Sequence, residues 1–218
     1  MTLLRTARVL VRPRYRLNWI RGRCKADGFV WYVRGTNFSA THEDWLRSLV
    51  HPFDGELFVD VGAHIGTWAI RATRTFRRVV AFEPNIETNR MLRTSVEMNR
   101  LPNISVYSAA LSNTAGEMIV STRNRISRRE LEHRIPVRTL DSFKLKPSLV
   151  KIDTEGDEFL VLQGAVETLE RRPRIVVETH SLGSSRDVRN YLEAREYSIR
   201  EIRRENRFNM IQSWLVCD

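Results

Sequence analysis

The chain alternates short apolar runs with amphipathic stretches over most of its length. Apolar residues recur at helical spacing in IGTWAIRATRTF, in NIETNRMLRTSVEMN and along a face formed by Phe159, Leu162, Val166 and Leu169. The runs between these stretches have the length and composition of buried strands: LFVDV (57–61), VVAFE (79–83), ISVYSAAL (104–111), SLVKID (148–153) and RIVVETH (174–180). This alternation predicts an α/β fold with a mostly parallel, doubly wound sheet.

Smaller elements are predicted at the two ends of the chain and in its middle. YSIREIR and SWLVCD are predicted to pair as a closing hairpin, which gives the sheet an antiparallel C-terminal strand. GEMIVST and IPVRTL are predicted strands on either side of an arginine-rich loop, RNRISRRELEH. Upstream, GFVWYVRGTNFSATHEDWLRSL predicts a small strand-and-helix unit. We therefore expect a basic N-terminal extension (1–56) packed on a core domain (57–218).

Composition narrows the class of protein. With 218 residues, 42% of them apolar, the chain can bury one sizeable core. No apolar run approaches the roughly 20 residues that span a bilayer, and arginines interrupt the short apolar pieces at the N-terminus. The two cysteines, Cys24 and Cys217, form neither a disulfide framework nor a zinc pattern. A cytoplasmic location is the resulting expectation.

The formal net charge of +10 is carried almost wholly by arginine. The first 25 residues contain eight basic side chains and no acidic one. Arginine forms planar, bidentate contacts with phosphate and carboxylate, so this charge would attract an anionic partner. Nucleic acid, anionic lipid, an acidic substrate and a merely solvated surface are all compatible with it.

The stretch FVDVGAHIGTW places Asp60, Gly62, Ala63 and Gly66 at the end of the first sheet strand, where open parallel sheets bind ligands. Its glycines do not have the GxGxxG spacing of dinucleotide sites, and it lacks the lysine of phosphate-binding loops. A negative charge at Asp60 would repel a diphosphate but suits an ammonium and a sulfonium. Glycines that serve only the turn and its packing are the plainer alternative.

Glu83 ends the second strand, where a carboxylate can accept both hydroxyls of an adenosine ribose. Ser108 and Ala109, at the end of the third strand, would then lie near the adenine. A nucleoside without phosphates fits these features, and S-adenosylmethionine is the predicted cofactor. A turn carboxylate at Glu83 and an ordinary strand-end hydroxyl at Ser108 are the alternatives.

A second group of chemically active residues follows the fourth and fifth strands. In KIDTEGDEF, Asp153 ends the fourth strand and Glu155 follows two residues later. A carboxylate here could remove a proton from an acceptor hydroxyl or bind the methionine ammonium. His180, two residues after Glu178, is the second candidate base because its ordinary pKa lies near neutrality. No metal is predicted, because the neighbouring acids and histidines at 42–44 and 51–54 lack further spaced ligands.

These motifs resemble those of the FkbM-type methyltransferases from about residue 56 to 181. The matching stretches are FVDVGAHIGTWAI, VVAFEPN, NISVYSAALSN, VRTLDSF, VKIDTEGDEFLVLQGA and IVVETH. The resemblance implies a Rossmann-like methyltransferase fold, S-adenosylmethionine as cofactor, and methylation of hydroxyls on sugars, polyketides and related metabolites. It also implies that residues 57–218 form the methyltransferase domain. His64 stands where the family usually has asparagine.

The resemblance also implies roles for individual residues. Asp60, Gly62, Gly66 and Glu83 are expected at the cofactor. Asp153, Glu155 and Glu158 are expected in an acidic cluster near the methyl group. Apart from the resemblance, Glu158 and Glu178 are predicted to contact the substrate. For Glu158, as for Asp157, stabilisation of a helix N-terminus is an equally simple explanation.

Three further alternatives remain open from the sequence. The acceptor is expected to be a small molecule or glycan with a hydroxyl, but the ribose 2′-hydroxyl of RNA is an alternative because basic segments could follow a phosphate backbone. A non-catalytic binding protein that keeps the fold is another alternative. The basic N-terminus could also lie on an anionic membrane, although Pro13 interrupts its apolar face. The oligomeric state is left open.

Overall fold

The computed structural model describes residues 22–33, 53–123, 130–207 and 210–218, without the side chains of 122–131 and 202–212. Its strands are β1 (Arg23–Ala26), β2 (Phe29–Tyr32), β3 (Gly55–Val61), β4 (Phe76–Phe82), β5 (Ile104–Tyr107), β6 (Ala110–Leu111), β7 (Gly116–Arg123), β8 (Glu130–Arg138), β9 (Leu149–Ile152), β10 (Arg174–Thr179), β11 (Ile199–Arg207) and β12 (Met210–Cys217). Its helices are α1 (Ala69–Ala72), α2 (Ile86–Met98), α3 (Glu158–Gln163), α4 (Val166–Leu169) and α5 (Leu182–Glu193).

The main sheet has the order β11-β12-β10-β9-β3-β4-β5 in the described part of the chain. The strands from β10 to β5 are parallel to their neighbours, and β12 pairs antiparallel with both β10 and β11. The predicted doubly wound sheet with an antiparallel C-terminal strand is confirmed. Because β9 lies beside β3, the loops after these two strands meet at one edge of the sheet.

Apolar side chains from alternate positions of the strands form two cores, one on each face of the main sheet. Phe58 and Val79 belong to the core that also contains Trp31 and Trp68. Val59 belongs to the opposite core, with residues of β9, β10 and the helices α3 and α5. With both faces covered, the carboxyl-terminal edge of the parallel strands is left as the place for a ligand.

The hairpin of β1 and β2 packs against α2. Backbone N–H groups of Val30 and Tyr32 donate to the side chains of Asn99 (2.8 Å) and Ser95 (2.9 Å). Trp31 is fully buried in the core beneath the sheet. The strand part of the predicted N-terminal unit is thus present, whereas its helical part and the residues His42, Glu43, Asp44 and His51 lie outside the described residues.

The helix predicted from residue 65 is present only as α1 (69–72). His64 and Gly66 have positive φ angles of 52° and 88°, which are incompatible with a right-handed helix. The stretch before α1 is therefore a series of turns (64–68). Together with Gly62 and Ala63 it forms the loop after β3, called the glycine loop below.

The prediction of a single helix after the fourth strand is wrong, because the structure has two short helices there, α3 and α4. A Cβ on Gly164 would lie 2.1 Å from the carbonyl oxygen of Ser112, so the chain passes close to a neighbouring loop there. The carboxylate of Asp141 then accepts from the backbone of Glu167 and Thr168 and caps α4 (both 2.9 Å). Val166, predicted on the buried face, is 41% exposed.

Other elements differ from the sequence prediction in extent. The third predicted strand divides into β5 and β6, with Ser108 and Ala109 between them. Strands β6, β8 and β7 form a separate sheet, and β8 begins at Glu130, inside the predicted arginine-rich loop. The loop residues 124–129 lie outside the described part of the chain. The described helices are all too short or too polar to cross a membrane.

Candidate functional site

A cavity of about 580 Å³ opens at the carboxyl-terminal edge of β3, β4 and β9. Its walls come from the loop after β3, the start of α2, strand β6, Met118 of β7 and the loop after β9. This is the edge at which the sequence placed the ligand, and the volume is within the usual range for small-molecule sites, about 300–1,000 Å³.

Gly62 joins the two loops that form the floor of the cavity. Its φ angle is +78°, and a Cβ there would lie 1.7 Å from the carbonyl oxygen of Asp153. The N–H groups of Gly62 and Ala63 both donate to the carbonyl oxygen of Phe82 (3.0 Å each). These contacts hold the glycine loop against the ends of β4 and β9, so only glycine is compatible with this position.

Gly66 has a different place from the one predicted. It is not part of the cavity wall, and a Cβ there would lie 2.3 Å from Leu92 Cδ1 of α2. Its role in the structure is to turn the chain and to let the loop pack on the helix. Direct contact between Gly66 and a cofactor is therefore not supported by its position.

The carboxylate of Glu83 is buried at the cavity wall and held by several donors. Oε2 accepts from the backbone N–H of His64 (2.6 Å), while Oε1 accepts from the N–H of Asn85 (2.8 Å) and the hydroxyl of Thr88 (2.9 Å). Burial raises the pKa of Glu83, and these hydrogen bonds oppose the rise. A carboxylate has about four acceptor positions, so about one is left for a ligand facing the cavity.

Lys151 is a buried cation that the sequence argument did not single out. It pairs in register with Asp60 on β3 and lies two residues before Asp153, so all three side chains are brought together. Its Nζ is 3.0 Å from Asp153 Oδ2 and 3.8 Å from Asp60 Oδ1. A lysine within the otherwise apolar run SLVKID was the signal that could have identified it.

Asp60 is fully buried and does not belong to the cavity wall. Its charge faces Lys151 rather than a ligand, so the predicted contact with an ammonium does not match its position. Of the predicted cofactor residues, the structure brings Gly62, Ala63, Glu83, Ala109 and Asp153 to the wall. Ser108 is not part of the wall.

His180 forms the centre of a group of four carboxylates. Its Nδ1 lies 2.9 Å from Glu158 Oε1. Its Nε2 faces Glu155 Oε2 at 3.4 Å, Asp153 Oδ1 at 3.6 Å and Glu178 Oε1 at 3.8 Å. Burial lowers the pKa of His180, but the hydrogen bond to Glu158 and the surrounding negative charges outweigh it and raise that pKa to about 9.

Glu158 lies behind His180 and is fully buried. Its Oε1 also accepts from the N–H of Gly156 (2.7 Å), and its Oε2 accepts from the hydroxyl of Ser184 (2.9 Å). The predicted contact of Glu158 with a substrate is incompatible with this position, because both oxygens are occupied away from the cavity. Glu158 instead orients the ring of His180, while Asp153 and Glu155 reach the cavity wall.

Comparison with known proteins gives the following relations. The domain described as "Methyltransferase FkbM domain" matches residues 60–199. Hexuronic acid methyltransferase AglP of Haloferax volcanii is 28% identical over 191 residues, which cover 82% of this chain and 77% of that protein.

Solved structures show the same fold. A methyltransferase FkbM from Methylobacillus flagellatus superimposes with a TM-score of 0.59 at 22% identity, covering 78% of this chain and 45% of that one. M. jannaschii TYW2, solved in complex with AdoMet, superimposes with a TM-score of 0.57 at 16% identity, covering 89% and 84% of the two chains. The chain therefore has the Rossmann-like methyltransferase fold, and it spans less than half of the Methylobacillus protein.

Proposed function

The chain belongs to the FkbM methyltransferase family, and we propose from this that it transfers the methyl group of S-adenosylmethionine to a hydroxyl of a sugar or a related metabolite. One observation carries the proposal. Glu83, at the end of the second parallel strand, presents a buried carboxylate with remaining acceptor capacity to the cavity beside the glycine loop. A ribose hydroxyl is the group that this arrangement suits.

The other walls of the cavity also fit this cofactor. Phe82, Ala109 and Leu111 provide apolar surface for an adenine ring next to Glu83. The hydroxyl of Thr154, also at the wall, is buried and has no hydrogen-bond partner among the described residues. A buried hydroxyl without a partner costs free energy, so a polar ligand that reached Thr154 would stabilise it.

When bound, the cofactor supplies an electrophilic methyl group on a sulfonium, with its own leaving group. The protein must then align the acceptor oxygen and receive its proton. We assign this contact to Asp153, which reaches the cavity while Lys151 holds its Oδ2. His180 lies behind Asp153, and with a pKa of about 9 the ring carries a proton at neutral pH. His180 therefore begins as a cation beside Asp153 rather than as a base.

The acceptor class is proposed from the relative's name together with the cavity. AglP is named as a hexuronic acid methyltransferase, and a uronic acid residue is a hydroxyl-bearing sugar of the predicted class. We propose a uronic acid glycoside as the first acceptor to test. The ribose 2′-hydroxyl of RNA remains the alternative from the basic sequence.

The test is methyl transfer itself. Purified full-length protein is incubated with S-adenosylmethionine and, separately, uronic acid glycosides, neutral hexosides and total RNA, and both acceptor mass and S-adenosylhomocysteine are measured. We expect methylation of a uronic acid glycoside and a turnover at least about 100-fold lower in Asp153→Asn, within the usual contribution of general base catalysis. Methylation of RNA alone would replace the sugar proposal, and no transfer to any acceptor class would oppose the assignment.

A further inference from the structure

The ring of His180 is buried between a hydrogen-bonded carboxylate at one nitrogen and three further carboxylates that face the other. The side chain is 7% exposed, and its Nδ1 hydrogen bonds to Glu158. Its Nε2 makes no hydrogen bond with the described residues, yet it faces oxygens of Glu155, Asp153 and Glu178 at 3.4, 3.6 and 3.8 Å. These separations are longer than ordinary N–H···O hydrogen bonds, so the buried nitrogen faces three carboxylates at ion-pair distances.

We propose that Asp153, Glu155 and His180 bind a divalent transition-metal cation at the wall of the cavity. One ligand atom from each residue lies within 4.8 Å of the others. Metal–ligand bonds of about 2.0–2.2 Å place neighbouring ligand atoms roughly 3.0–3.5 Å apart, close to the separations around Nε2. A cation at this point would bond to the nitrogen and to the oxygens that now face it.

The residues behind His180 fit a metal-binding histidine. Metal-bound histidines usually donate their other ring N–H to a carboxylate, which fixes the tautomer and the ring orientation. Glu158 occupies this position and is itself held by Gly156 and Ser184. A cation at this point would displace the proton from Nε2, so that Nε2 supplies a lone pair to the metal while Nδ1 keeps donating to Glu158.

The ligand set indicates the class of cation. Two carboxylates and one imidazole suit Mn²⁺, Zn²⁺ and similar ions better than Ca²⁺, which prefers oxygen ligands alone. Asp153 offers Oδ1, because Lys151 holds its Oδ2 at 3.0 Å. Asp153 and Glu155 also line the cavity, so further coordination positions would be open toward it.

Such a cation would have a consequence for the acceptor, and this step rests on the proposed function. The cluster of carboxylates would repel an anionic sugar, and a divalent cation would offset part of this negative charge. A hydroxyl bound to the cation would also lose its proton more readily. The cation, with Asp153 as one of its ligands, would then bind and polarise the acceptor oxygen.

The test is direct metal binding by the full-length protein after treatment with a chelator. Mn²⁺ is titrated and free Mn²⁺ is followed by electron paramagnetic resonance, with Zn²⁺ titrated by calorimetry. We expect one saturable Mn²⁺ site per chain, weakened at least about tenfold in Glu155→Gln, within the usual cost of disturbing a metal site. Asp157→Asn, an exposed acid of the same loop outside the cluster, should bind like the wild type.

Several outcomes separate this site from weaker explanations. Equal weakening in Glu155→Gln and Asp157→Asn would indicate diffuse attraction to acidic residues and would overturn the proposal. Absence of saturable binding in folded protein would also overturn it and would leave a protonated His180 as the partner of the carboxylates. S-adenosylhomocysteine is titrated into the same samples. If it binds and the metal does not, only the metal site is overturned. If the metal binds and S-adenosylhomocysteine does not, only the proposed cofactor is overturned.

Discussion

At the scale of single residues, Gly62 joins the glycine loop to the loop after β9. We expect Gly62→Ala to destabilise the fold, because the positive φ alone costs about 1–2 kcal/mol with a side chain and the Cβ would lie 1.7 Å from the Asp153 carbonyl oxygen. Gly116→Ala is the matched control, since a Cβ there would meet no atom within 4 Å. Urea unfolding should show a large loss for Gly62→Ala and little change for Gly116→Ala; similar stability of the two variants would refute the close approach.

Lys151 is the second residue whose role can be measured. Its Nζ lies 3.0 Å from Asp153 and 3.8 Å from Asp60, in surroundings that leave 6% of the lysine side chain exposed. Lys151→Met should lower the free energy of unfolding by about 3–5 kcal/mol, because it leaves buried carboxylates without their cation. The double variant with Asp60→Asn should recover part of the loss, and Lys146→Met, at an exposed position, should have little effect. No recovery in the double variant would contradict the coupling.

The residues of the site were predictable to different degrees. Gly62, Glu83 and Asp153 could be placed because each ends or follows a predicted strand, and the ends of parallel strands share one edge. The burial of Asp60 against Lys151 depends on the register between β3 and β9, which the sequence does not reveal. The orientation of His180 depends likewise on Glu158, which comes from a different element.

At the scale of elements, the hairpin of β1 and β2 is part of the core rather than an appendage. Trp31 is fully buried, its Nε1 donates to the carbonyl of Ala26, and the guanidinium of Arg71 lies 5.1 Å from its ring centre. Trp31→Ala should cost about 3–5 kcal/mol of unfolding free energy, whereas Val30→Ala, on the half-buried face of the strand, should cost much less. Equal unfolding midpoints for wild type and Trp31→Ala would show that the hairpin is not needed by the core.

The strands were easier to predict than the helices. Four predicted runs became the mostly buried strands β3, β4, β9 and β10 of the main sheet, and burial on both faces is visible as continuous apolar sequence. The remaining run, ISVYSAAL, gives the main sheet only β5, whose side chains are half-buried or exposed. Helix α5 was not predicted, since only Ser185, Val188 and Leu192 of LGSSRDVRNYLE are buried. Strand β8 extends back to Glu130 because backbone hydrogen bonds to β7 hold it, and these are independent of side-chain polarity.

At the scale of the whole molecule, the net positive charge of the chain and the cluster of carboxylates around His180 are expected to affect binding in different ways. The net charge of +10 describes the complete chain, whereas four carboxylates surround His180 at the carboxyl-terminal edge of the sheet. Attraction of polyanions by the basic surface is long-ranged and falls with salt. Recognition of the proposed cofactor and acceptor would depend instead on contacts in the cavity, so binding of RNA alone would not identify the substrate.

The central claim is that the cavity beside Glu83 binds S-adenosylmethionine, and calorimetric titration with S-adenosylhomocysteine tests it most directly. NAD is the ligand control, and Glu87→Gln, an exposed acid on α2, is the control variant for Glu83→Gln. We predict saturable binding near a micromolar dissociation constant, no binding of NAD, and an affinity roughly 10–100-fold lower in Glu83→Gln, which corresponds to the loss of about 1.5–3 kcal/mol for a charge-assisted hydrogen bond. Absence of saturable binding in folded wild-type protein, or an unchanged affinity in Glu83→Gln, would contradict the claim.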